Sequence, residues 1–92
     1  MKTYIIVYQL RDPWANYSKF YEALKEHYED NLHFMETAWL VRTENSAEDI
    51  LKVLRDKVRG RDSIFVAEIT ENMDGFVTGG LWRWLKTLEK SE

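Results

Sequence analysis

Leu32-His33-Phe34-Met35-Glu36-Thr37-Ala38-Trp39-Leu40-Val41-Arg42-Thr43 is the stretch on which the fold turns. Phe34, Ala38 and Leu40 fall on one alternation phase and Met35, Trp39 and Val41 on the other, the pattern of extended chain. Twelve residues is long for one strand, and a bend or bulge near Glu36-Thr37 would divide it into a strand pair. Upstream, Thr3-Tyr4-Ile5-Ile6-Val7-Tyr8-Gln9-Leu10 is β-branched and aromatic on both phases, as a central strand buried on two faces reads. Between them Pro13 disfavours helix at Asp12 and Asn16 can cap the next element. Tyr17, Phe20, Tyr21, Leu24 and Tyr28 then recur at helical spacing, which predicts an amphipathic helix over about 17–29.

Downstream, Ser46 stands ahead of Ala47-Glu48-Asp49, a hydroxyl cap followed by acidic residues that suit the positive end of a helix dipole. Ala47, Ile50, Leu51, Leu54 and Val58 form one apolar stripe, and Gly60 supplies a left-handed exit, so this helix is expected to run to about Arg59. Ser63-Ile64-Phe65-Val66-Ala67-Glu68-Ile69-Thr70 reads as a second strand of buried character. After a loop marked by Asn72, Asp74, Gly75, Gly79 and Gly80, the residues Leu81, Trp82, Trp84, Leu85 and Leu88 resume at helical spacing, predicting a short terminal helix. If the middle stretch supplies two strands, the order is that of an α+β, ferredoxin-like βαββαβ sandwich with a C-terminal helix, one domain over 1–92.

Composition narrows the functional classes. Apolar residues make up 45% of the chain and charged ones 32%, enough for a modest core in a chain that stays in solution. With no cysteine, disulfides and thiolate metal sites are excluded. The start lacks the pattern of a secretory signal and no apolar run approaches a bilayer span, so no membrane partner is expected and the chain is placed in the cytoplasm. A net charge of −3 argues against a binder of nucleic acid over its whole surface but leaves room for a local basic patch.

Catalytic constellations are sparse. Only His27 and His33 could serve as a base, and both read more simply as a helix flank and a structural or partly exposed group. Gly79-Gly80 lacks the Lys and Ser/Thr of a phosphate loop, and metal-ligand spacing is absent. Lys52, Arg55, Lys57, Arg59 and Arg61 form a basic run, which reads either as a solvated face partly neutralised by Asp49 and Asp56 or, at Arg59-Gly60-Arg61, as a phosphate contact. Trp39 reads as core. Trp82-Arg83-Trp84 leaves an indole exposed unless something covers it, which makes Trp82 and Trp84 candidates for a self-association surface. Base stacking lacks the paired aromatic strand motifs of an RNA-recognition sheet.

Tyr4-Ile5-Ile6-Val7-Tyr8 with Leu10 beyond one polar residue, the Thr37-Ala38-Trp39-Leu40-Val41 strand, the capped second helix and Asp62-Ser63-Ile64-Phe65-Val66 resemble the small ferredoxin-like CRISPR-associated protein 2. The resemblance is closer to its stand-alone SinR-like relatives, in which His33 through Trp39 and Trp84-Leu85-Lys86 also find counterparts. It implies a symmetric dimer in which an aspartate ending the first strand of each subunit helps hold a divalent metal for phosphodiester cleavage. Gln9 occupies that position here. A neutral amide is a poor substitute for a carboxylate toward Mg²⁺, so no catalytic residue, metal or cofactor is expected, with Asp12 as the fallback carboxylate. The expected function is that of a homodimeric, non-catalytic nucleic-acid-binding or scaffold protein, contacting DNA or RNA through Lys52, Arg55, Arg59 and Arg61. Two alternatives stand beside it: a Mg²⁺-dependent endonuclease or endoribonuclease using Asp12, and a protein-interaction module of a toxin-antitoxin or phage-defence system.

Overall fold

The computed structural model describes residues 1–77 and 79–90, the last four of these in backbone only, so the side chain of Leu88 lies outside the described residues. In chain order the elements are β1 (Lys2–Gln9), α1 (Ser18–His27), β2 (Asn31–Met35), β3 (Ala38–Thr43), α2 (Ala47–Arg55), β4 (Ser63–Ile69) and α3 (Gly79–Lys90). The four strands form one antiparallel sheet in the order β2-β3-β1-β4. This α+β architecture is compatible with a small ferredoxin-like fold. The middle stretch does divide: a turn at Glu36-Thr37 separates β2 from β3, and the pairing slips between His33 and Met35.

Alternation in β1 distributes its side chains to the two faces of the sheet. Tyr4, Ile6 and Tyr8 join Phe20, Ala23 and Leu24 of α1 and Ile50 and Leu54 of α2 in the main core, with Trp39, Val41 and Tyr28 completing it. Full burial of each aliphatic side chain here contributes about 1.5–3 kcal/mol. On the opposite face, Ile5 and Leu40 pack under Leu81 and Leu85 of α3 in a smaller cluster.

Several local expectations change. β1 is central, yet Val7 remains 39% exposed because α3 covers only part of the second face. β4 is an edge strand, and Phe65 is 67% exposed; Ile64 and Val66 reach the main core, while Phe65 points to the face that α3 leaves open. α1 stops at His27, and Tyr28 turns extended while still burying its ring.

The start of α2 follows the expected chemistry. Ser46 Oγ accepts from the Asp49 N–H at 3.1 Å, and the Asp49 carboxylate accepts from the Ser46 N–H at 3.2 Å. Its end does not. The helix closes at Arg55, with the Lys57 N–H donating to the Leu54 carbonyl and the Lys57 ammonium to the Val53 carbonyl. Gly60 has no positive φ, so it is no left-handed cap. The chain instead turns through an Asp62 N–H to Arg59 carbonyl bond at 3.0 Å.

Candidate nucleic-acid interface

Antiparallel pairing of β1 with β4 sets Gln9 opposite Ser63. The segment leaving β1 therefore runs beside the segment entering β4, and Arg11 comes to the same end of the sheet as Arg59 and Arg61. Asp62 joins the two segments. Its carboxylate accepts the main-chain N–H of Arg11 at 2.7 Å through Oδ1 and that of Arg59 at 2.7 Å through Oδ2. The Tyr17 hydroxyl, which itself accepts from the Asp12 N–H at 3.2 Å, donates between the two oxygens at 3.0 and 2.8 Å.

Desolvation alone would raise the Asp62 carboxyl pKa, but the two main-chain donors, the Tyr17 hydroxyl and the nearby Arg59 charge outweigh it and hold the value below the usual carboxylate range. Tyr17 moves the other way: desolvation and the adjacent Asp62 carboxylate raise its phenol. Because Asp62 is engaged by backbone, it forms no ion pair with the arginines around it. Among the described residues, none of Arg11, Arg55, Arg59 and Arg61 has a carboxylate within 4.0 Å. Four permanently charged guanidinium groups are thus left with donors to offer to solvent or a ligand.

Arg11, Asp12, Pro13, Arg59, Gly60 and Arg61 line a cleft of about 350 Å³. A neighbouring cleft of about 390 Å³ is shared by Arg55, Arg59 and Asp62. Of the basic residues expected to act together, Arg55, Arg59 and Arg61 are gathered here, whereas Lys52 lies further back on α2 with its ammonium 4.0 Å from Glu48. Arg11 escaped the sequence reading because it is remote from the basic run in the chain; only the β1–β4 register brings it in.

Gln9 and Asp12 sit at the margin of this site. The Gln9 amide oxygen accepts from the Arg11 guanidinium at 2.8 Å, and Asp12 Oδ1 accepts the Trp14 N–H at 3.0 Å. Three arginines in the cleft repel a divalent cation more than the single Asp12 carboxylate attracts one, and the Gln9 amide oxygen is already facing a guanidinium. These donors do not fit Mg²⁺. The guanidinium groups of Arg11, Arg59 and Arg61 suit an anion with several acceptor oxygens, which such planar groups bind in bidentate fashion.

The two terminal indoles have defined places. Trp82 packs against the smaller core and lines an apolar groove with Ile5, Leu40 and Phe76. Trp84 lies beneath Arg42, whose guanidinium carbon is 3.8 Å from the ring centroid; Arg42 also donates to the Trp84 carbonyl and, at 2.8 Å, to Asp30. His33 stacks on Trp39 with ring centroids 4.4 Å apart, and Trp39 Nε1 donates to the Tyr8 hydroxyl at 2.9 Å. Burial carries the Tyr8 phenol well above its ordinary pKa, so it stays protonated as a structural group. His27 is exposed on α1.

Among the described residues no helix is long and apolar enough to cross a membrane. Comparison with protein-family models, with curated proteins and with solved structures gave no match.

Proposed function

We propose that this chain is a ferredoxin-like, homodimeric nucleic-acid-binding protein of the scaffold type, related to the CRISPR-associated protein 2 group but without its catalytic aspartate. The arginine-lined end carries the reading. Arg11, Arg59 and Arg61 converge on one cleft, Arg55 adjoins it, and Asp62 fixes the backbone under two of them without a close ion pair to either guanidinium. Such an end binds phosphodiester oxygens with little regard for base sequence. The element order and the strand order β2-β3-β1-β4 support the fold assignment.

Dimerisation is supported by a row of uncovered side chains across the sheet rather than by the terminal indoles. Met35 pairs with Ala38, Ala38 with Val7 and Val7 with Phe65, so all four lie on one face; Ala38 is buried, but Met35 and Val7 stay 50% and 39% exposed along the groove that α3 lines, and Phe65 stays 67% exposed beside Val7. Gln9 follows on the same face two residues after Val7, as the resemblance implies for the residue that faces its counterpart across the dimer.

Binding of duplex and single-stranded nucleic acid as salt is raised, with Arg59→Glu/Arg61→Glu as the control, tests the reading. Cleavage stimulated by Mg²⁺ or Mn²⁺ that disappears in Asp12→Ala would instead favour the nuclease alternative.

A further inference from the structure

Trp14 is 94% exposed, although it belongs to a tightly tied loop. Its own N–H is held by Asp12 Oδ1, the Ala15 N–H donates to the Asp12 carbonyl at 3.2 Å, and the loop's ends are anchored by Arg11 and Tyr17 on Asp62. A large apolar ring kept in water on such a loop makes no contribution to the core. It stands two residues from Asp12 and three from Arg11, both of which line the arginine cleft.

We infer that Trp14 is a stacking platform for an unpaired base, so that the arginine end prefers single-stranded nucleic acid, with the phosphates in the cleft and one base on the indole. The inference rests on the phosphate reading above and adds the ligand class. An indole accepts any base face, so the preference is for strandedness rather than sequence. In a duplex the bases are stacked on one another and offer no free face to a protruding ring.

The test uses the full chain with labelled oligothymidylate and oligouridylate of about 12 nucleotides, a length that spans a typical single-strand site, and a duplex of the same length. Both single strands are expected to quench tryptophan emission. Trp14→Ala should weaken single-strand binding about tenfold while changing duplex binding less than about twofold, and Trp14→Phe should retain most of the affinity. The two single strands differ in the 2′-hydroxyl and in the thymine methyl, and the Trp14 effect is expected on both.

Equal effects of Trp14→Ala on single strands and duplex, or no effect on either, would overturn the inference. So would a change of molecular mass in Trp14→Ala with binding intact, which would assign the indole to a protein contact. If binding is lost in Arg59→Glu/Arg61→Glu but indifferent to Trp14, the phosphate reading stands and the stacking platform falls. If the native chain binds no nucleic acid, both fall.

Discussion

Asp62 and Arg11 are joined by a 2.7 Å hydrogen bond from the Arg11 main-chain N–H to the Asp62 carboxylate, across 51 positions of sequence. Through this contact the acid just before β4 sets the conformation of the loop just after β1. An Asp62→Ala variant loses the acceptor for Arg11, Arg59 and Tyr17 together. It should melt several degrees lower at neutral pH. The sign of the pH dependence follows from the depressed pKa: the stabilisation is complete above the unfolded-state value of about 4 and disappears as pH falls through the lower folded-state value. The gap in melting temperature between native chain and variant should therefore narrow as the pH is lowered from about 4 through the folded-state value, whereas a constant gap would show that Asp62 acts through packing instead. Asp49, lowered by its bonds to Ser46, contributes acid sensitivity of the same sign in both proteins.

Gly60 offers a sharper test of the loop. Its φ is not positive, and an added Cβ would meet nothing within 4 Å. Gly60→Ala should accordingly be neutral or stabilise by up to about 1 kcal/mol in denaturant unfolding, by restricting the unfolded chain. A clear loss of stability would restore the left-handed exit anticipated from sequence.

Arg42 pins α3 to the sheet through the ring and carbonyl of Trp84 and through Asp30. Its own side chain is almost entirely buried, so Arg42→Met keeps much of the packing but removes the charged bonds. A loss of about 1–3 kcal/mol is expected, together with a red-shifted tryptophan emission and faster proteolysis within the terminal segment. An unchanged emission spectrum and unchanged stability would show that α3 is held by Leu81 and Leu85 alone.

The apolar row on the sheet makes the oligomer testable by a surface change. Light scattering at tens of micromolar should report about twice the 11.1 kDa chain mass. Phe65→Glu, on the edge strand and already exposed, should fold and return the mass to that of one chain. A monomeric native protein, or a dimer indifferent to Phe65→Glu, would remove this face from the interface.

Much of this molecule was legible in its residues because periodicity reports burial directly. The split of Leu32 to Thr43, the Ser46 cap, the core position of Trp39 and the terminal helix all follow from alternation, capping chemistry or helical spacing. What sequence could not supply was the partner of each face. Val7 and Phe65 look like core residues in a β-branched strand, and only the limited reach of α3 leaves them exposed. Trp84 looks like an interface residue until Arg42, far away in sequence, is brought over it. Arg11 looks isolated until strand order sets the end of β1 beside the start of β4. That last case had a usable signal, since the βαββαβ order, taken literally, makes those two segments neighbours.

The central claim is that the arginines at this end contact phosphates, and salt-dependent binding of the native chain to labelled duplex and single-stranded nucleic acid tests it most directly. Binding should be measurable at about 20–50 mM salt, where screening is weak. The logarithm of the binding constant should fall linearly with the logarithm of salt concentration as counterions are released. Arg59→Glu/Arg61→Glu should abolish binding while preserving the circular dichroism spectrum, because both side chains are exposed beyond the end of α2. No retention of either form of nucleic acid at the lowest salt, or an affinity that does not change with salt, would contradict the claim and leave the protein-interaction module as the better reading.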